Sequence, residues 1–370
     1  MQQASTPVEA IIRERIAASG AITFAEYMDL ALYHPQFGYY TAGPPKVGWS
    51  GDFFTSAHLH PLFGACIARQ LAWMWDTLKR PAPFVALEEG AGQGVLAEQV
   101  RAFAQEHLPL LAEALRYQVT DIGQPAEMAP ASPLHVILSN ELIDAFPAHR
   151  VEARGGRLLE VYVVEREGRL VERLDEPSSE AVSGYLDRFA VPWRRFGDGW
   201  RAEINLRALH WMRTTAARLA RGGFALTIDY GDTARRLYTR ARRHGTLLCY
   251  YRHSINEEPL ARPGQQDMTA HVNFSALIEE GRRAGLSRSR FTTQRAFLLG
   301  LGIREEMEAL RARRFGAADA ARHTDQGQAD LLRAYSLRNA VSALLDPSGL
   351  GGFRVLMQRK TPASGSAPRA

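Results

Sequence analysis

Phe84-Val85-Ala86-Leu87-Glu88-Glu89-Gly90-Ala91-Gly92-Gln93-Gly94 is the stretch that decides the fold. An apolar run ends in acid, and glycine then stands at every second position. Val95, Leu96, Val100, Phe103 and Leu108 follow at spacings of a helical face. A strand, a glycine turn and a helix start are how α/β proteins hold a nucleotide-like ligand. Glycine lets backbone approach that ligand with no Cβ in the way. A dinucleotide fingerprint would need a further glycine where Val95 stands. Two readings stand open here: a ligand cradle, or a glycine-rich βα turn without a ligand. A second motif has to decide.

The rest of the chain narrows the class. At 370 residues there is room for two domains, or for one α/β domain with additions. No apolar run is long enough for a transmembrane helix. The N-terminus lacks a signal-peptide layout, so a soluble cytoplasmic protein is expected, or a matrix protein if the source is eukaryotic. Cys66 and Cys249 sit in apolar surroundings without a C-x-x-C, which argues against zinc or a disulfide framework; no metal is expected. The net charge of +5 is spread, nearly all of it Arg, and forms no basic stripe with interleaved aromatics. Nucleic acid is therefore not an expected partner.

Strands are predicted at 84–88, 117–121, 134–139, 224–229 and 353–358, with helices between several of them. The expected fold is α/β, a doubly wound, mostly parallel sheet. Residues 1–80 read as a helical and loop region covering the site, with a capping box at Thr23 and Glu26. Residues 81–148 and 206–360 form the core. Residues 149–205 read as an antiparallel β insertion, and 303–345 as helix. The tail 361–370 reads as disordered. The run Tyr33 to Tyr40 reads mainly as ring packing under a turn.

Ligands in open parallel sheets bind beyond the strands' carboxyl ends. Read there, the first strand ends at Glu88 and the second at Asp121, which suits a ribose diol or a turn cap. The third runs into Asn140-Glu141-Leu142-Ile143-Asp144-Ala145-Phe146-Pro147. Glu141 and Asp144 would share a face if a helical turn formed. The fourth ends at Asp229-Tyr230-Gly231. A polar loop, Arg262 to Phe274, includes Asp267 and His271.

Together these stretches resemble the MidA-like S-adenosylmethionine (SAM) methyltransferases, which include a mitochondrial protein arginine methyltransferase that helps assemble respiratory complex I. The matching segments are Tyr33 to Tyr40, Gly51 to Ser56, the E-x-G-x-G-x-G turn, Asn140 to Pro147, Leu226 to Gly231, Arg252-His253, Pro263 to Phe274 and Gln294 to Gly302. The resemblance implies a seven-stranded methyltransferase sheet, SAM as cofactor and a protein arginine as acceptor. It implies a cofactor site of Glu88, Gly90, Ala91, Gly92, Gly94, Asp121 and Asn140. Catalytic roles go to Asn140, Glu141 and Asp144, and substrate contacts to Asp52, Phe53, Asp229, Asp267 and His271.

The chain departs from the family in three places. Ala57-His58 stands where the family has Pro-Glu. Glu89 replaces an aliphatic residue, and a buried carboxylate needs a partner or a raised pKa. The link 122–133 is too short for the usual helix and third strand, although ~12 residues at ~3.3 Å each can return to a parallel strand. The last point predicts a missing third strand and an altered adenine side. These departures motivate an alternative reading, an assembly factor with the fold and little activity. An NAD enzyme is a weaker third, opposed by Val95.

Overall fold

The computed structural model describes residues 6–43, 55–122, 134–315 and 324–361. Its centre is a sheet of six strands among the described residues. They are β1 (Phe84–Glu89), β2 (Leu115–Thr120), β3 (Leu134–Asn140), β4 (Leu219–Asp229), β5 (Arg288–Thr293) and β6 (Arg354–Arg359), in the order β5-β6-β4-β3-β1-β2. β1 pairs in parallel with β2 and β3, and β3 with β4. β6 runs antiparallel to β4 and to β5. The expected sheet is thus present, parallel in its first four strands and mixed at one edge. Six strands stand against the seven that the resemblance implies. The short link that raised the question lies outside the described residues.

Side-chain alternation on these strands builds a core on each face. Phe84 and Ala86 join Val136, Leu226 and Val355 against helices Leu62–Thr77, Val95–His107 and Asp325–Leu345. Val85 and Leu87 join Ile137 and Ala225 against helices Leu206–Arg218 and Phe274–Arg283. Each Phe, Val, Leu or Ile among them contributes roughly 1.5–3 kcal/mol by leaving water, and each Ala less. Glu89, the odd residue in this strand, has its partners: Trp211 Nε1 donates to one oxygen at 2.7 Å and Arg218 to the other.

The antiparallel insertion is also present. Arg157–Arg166 pairs with His149–Arg154 and Arg169–Asp175, and His149–Arg154 with Trp200–Ile204. Ile22–Thr23 of the N-terminal region adds a strand to it. Helices Pro7–Ser19 and Phe24–Tyr33 share a core with this sheet and with Cys249, Met268 and Ala270. The capping box holds Phe24–Tyr33 at its start, with Thr23 and Glu26 bonded reciprocally. The predicted helix 303–345 is described as Ile303–Phe315 and Asp325–Leu345. Among the described residues, no helix is long and apolar enough to cross a membrane.

Candidate active site

Parallel pairing of β1 through β4 puts Glu89, Thr120, Asn140 and Asp229 at one edge of the sheet. The glycine turn leaves β1 there. Gly90, Gly92 and Gly94 hold φ of +72°, +54° and +76°, a region costly to any residue with a Cβ. A Cβ on Gly90 would also come 2.7 Å from Leu142 Cδ1. Gly90 and Ala91 donate N–H groups to Thr120 O at 2.9 and 3.3 Å, tying the turn to β2. Gly94 caps helix Val95–His107.

Beside the turn lies a cavity of about 360 Å³. Its lining includes Glu88, Gly90, Ala91, Gly92, Asp121, Asn140 and Glu141, seven residues expected from sequence. The wall carries three carboxylates, and no Lys or Arg among the described residues. Tyr117 OH donates to Glu88 Oε2 at 2.9 Å. Asp121 accepts the Gly92 N–H and, at 2.6 Å, the Ile122 N–H, so it both caps a turn and faces the cavity.

Glu141 takes a left-handed φ of +54°, unusual for a non-glycine residue and typical of functional sites. Its Oε1 accepts Ser56 N–H at 2.9 Å and Asn140 Nδ2 at 3.2 Å. The segment after Asn140 is therefore not a helical turn, and Glu141 and Asp144 do not share a face. Asp229 dictates this shape. Its carboxylate accepts Ile143 N–H at 2.9 Å and Tyr230 N–H at 2.9 Å, with longer contacts to Leu142 and Asp144 N–H.

Five expected residues stand away from the cavity wall, Gly94 at the start of helix Val95–His107 among them. Asp144 is buried and bonded to Tyr230. Asp229 is fully buried and occupied by backbone. Asp267 accepts Tyr40 OH at 2.7 Å. His271 lies edge-on to Tyr230 with Nδ1 3.2 Å from Arg242 Nη1. Asp229 and Asp267 support residues of the cavity wall, Leu142 and Tyr40, without lining it. Asp52 and Phe53 lie outside the described residues.

Sequence reasoning undervalued Tyr33 and Tyr40, which stack at 5.5 Å and line the cavity. Tyr33 OH donates to Ala145 O at 2.8 Å. Their run stood out in the sequence, but packing explains such runs as readily, as buried Tyr39 does here. Thr55 and His58 also line the cavity, so the N-terminal region contributes to its wall.

Burial pushes the Glu88 and Glu141 carboxyls up to about 7, with hydrogen bonds from Tyr117 and Ser56 opposing. The ordinary value is 4.5. Between these limits the folded chain binds more protons than the unfolded one, so stability falls with rising pH. The contribution is complete below about pH 4.5 and lost above about pH 7. Urea midpoints of the ligand-free protein are expected to drop across this window, less so for Glu141→Gln. A midpoint that drops as much in the variant would refute the assignment.

The cavity suits SAM. Bare glycine backbone lies at one wall, and the three wall carboxylates complement a cationic ligand. Asn140 Oδ1 is buried with no partner among the described residues. Glu88 and Asn140 would hold the amino-acid end, and Asp121 the ribose. Residues 66–135 and 124–292 match the S-adenosyl-L-methionine-dependent methyltransferase family Methyltransf_28. The mitochondrial protein arginine methyltransferase NDUFAF7 homolog of Drosophila melanogaster is 28% identical over 312 residues, 72% of this chain and 68% of that protein. Human NDUFAF7, a mitochondrial protein arginine methyltransferase, is 25% identical over 360 residues, 84% of this chain and 77% of that one. A COG1565 superfamily protein of Burkholderia thailandensis, solved bound to S-adenosyl-homocysteine, superposes with a TM-score of 0.78 at 28% identity. That match covers 95% of this chain and 92% of the other. The chain belongs to the S-adenosyl-L-methionine-dependent methyltransferase family and takes SAM as its cofactor.

Proposed function

We propose that this enzyme methylates a nitrogen of an arginine side chain on a protein partner. The observation that carries the reading is Glu141, the wall carboxylate that the cofactor leaves free, on a wall with no Lys or Arg among its described residues. A guanidinium stays charged at any working pH and is gripped best by carboxylates. The names of the Drosophila and human relatives support the acceptor class. The family resemblance points to a subunit of a respiratory complex as the first candidate.

SAM supplies a methyl group on a cationic sulfur. The protein's task is to align the acceptor nitrogen with that methyl and keep competing water away. Gly90, Gly92 and Gly94 offer backbone to the cofactor. Glu141, fixed by Ser56 and Asn140, faces the acceptor and orients its N–H groups. Tyr33 and Tyr40 form an aromatic wall over which a guanidinium can lie. Asp52 and Phe53 remain candidate substrate contacts on the resemblance alone.

Glu141→Gln keeps the shape and removes the charge. We expect kcat to fall ~100-fold, about 2.7 kcal/mol of transition-state stabilisation, while S-adenosyl-homocysteine binds within ~threefold of wild type. Intact-mass measurement of candidate partners with and without SAM supplies the assay. Full methylation by the variant would remove Glu141 from the mechanism. A non-enzymatic assembly role would require that calorimetry detect no heat with SAM, and the formed cradle weighs against that.

A further inference from the structure

His58 stands where the family resemblance places a glutamate, and its imidazole is held in an unusual way. Nδ1 lies 2.7 Å from Thr55 Oγ1. Nε2 is buried, and no partner reaches it among the described residues, although His58 lines the cavity. The short helix Ser56–Leu59 carrying the ring is pinned on three sides. Ser56 N–H donates to Glu141 at 2.9 Å, Ser56 Oγ donates to Gln294 Oε1 at 3.2 Å, and Gln99 Nε2 donates to Ala57 O at 2.7 Å. An orphaned ring nitrogen on so fixed a support costs stability unless a ligand uses it.

We propose that His58 is a catalytic base, with Nε2 accepting the proton that the acceptor nitrogen releases on methylation. This rests on the arginine methyltransferase reading above. Nδ1–H donates to Thr55 Oγ1, which leaves the buried Nε2 as the ring's free acceptor on a residue that lines the cavity. The substrate nitrogen forms its bond to the methyl carbon, the pair of the broken S–C bond stays on sulfur, and the nitrogen's proton passes to Nε2. Two positive charges enter, on sulfonium and guanidinium, and two leave, on methylguanidinium and imidazolium. Burial lowers the imidazole pKa, so the ring enters the cycle neutral. Glu88, Asp121, Glu141, Tyr33 and Tyr40 are the titratable groups sharing the cavity wall, and the carboxylates would stabilise the imidazolium formed.

The test has two arms. Long-range proton–nitrogen NMR on protein labelled with nitrogen-15 histidine reads the tautomer without turnover, the His58 signal being assigned by its loss in His58→Gln. The expected form is Nδ1–H with bare Nε2, shifting to Nε2–H in Thr55→Val. An Nε2–H ring in the wild type overturns the proposal. In the kinetic arm, His58→Gln should lower kcat ~100-fold while KM and S-adenosyl-homocysteine affinity stay within ~twofold, and His58→Glu should recover at least ~tenfold of the loss. A kcat for His58→Gln within ~threefold of wild type also overturns it. Failure of the wild type to bind S-adenosyl-homocysteine would instead strike the methyl-transfer reading, and the tautomer would still decide the state of His58.

Discussion

Gly92→Val is expected to weaken S-adenosyl-homocysteine binding at least ~100-fold in calorimetry, about 2.7 kcal/mol. Two effects add. The φ of +54° at Gly92 is hostile to a β-branched residue, so the turn must reshape or carry roughly 1–2 kcal/mol of strain. The side chain would also enter space that the bare backbone leaves for ligand, next to Asp121, whose Oδ2 lies 3.9 Å from the position of a Cβ. Reshaping would break the Gly92 N–H bond to Asp121 and displace the proposed ribose acceptor. Binding unchanged from wild type would sink the cradle. Gly20→Ala is the control, since Gly20 also holds a left-handed φ but lies at the end of helix Pro7–Ser19, away from the cavity.

How far the sequence foretold this site depends on whether the signal was local. The glycine turn announces itself because it needs residues that tolerate positive φ at fixed spacing. Apolar runs likewise announced β1, β3 and β4. Each is a short-range constraint that one segment satisfies alone. Asp229 and Asp267 are expected at the substrate from their positions, and the fold turns both away from the cavity wall. Both sit at the end of a strand or in a polar loop, as ligand-binding acids do. Only the tertiary fold shows that Asp229 turns toward the backbone of 142–144 and Asp267 toward Tyr40. The helical turn that would put Glu141 and Asp144 on one face does not form, for the same reason. Acid spacing allowed it, but a carboxylate at the end of β4, 86 residues on from Ile143, captured the N–H groups that would have built it. Tyr33 and Tyr40 show the converse case, where a packing explanation was adequate for Tyr39 and concealed a cavity wall one residue on.

Asp229→Ala is expected to destabilise the fold by at least ~3 kcal/mol in urea or thermal denaturation, the largest stability effect of any substitution considered. The carboxylate is 0% exposed. It accepts two short backbone bonds, from Ile143 and Tyr230 at 2.9 Å each. The contacts from Leu142 at 3.3 Å and Asp144 at 3.4 Å are weaker. Alanine removes every one of these acceptors and leaves the Ile143 and Asp144 donors buried and those of Leu142 and Tyr230 partly so, at about 1–3 kcal/mol for each buried unsatisfied group. Burial and the nearby Asp144 carboxylate hold the Asp229 carboxyl well above the usual range, so part of its ionisation cost disappears with it. That relief is why the expected loss is not simply the sum over four donors. Asp229→Asn should fall between, because one amide oxygen still accepts while its NH2 group opposes the remaining donors. Whatever folded protein survives should bind S-adenosyl-homocysteine weakly, since the segment released carries Asn140 and Glu141. The two glycine and aspartate variants then separate cleanly: Gly92→Val loses ligand from a fold that melts near the wild type, whereas Asp229→Ala loses both. A stability for Asp229→Ala within about 1 kcal/mol of wild type would show that the loop holds its shape without this carboxylate, and the account of the positive φ at Glu141 would fall with it.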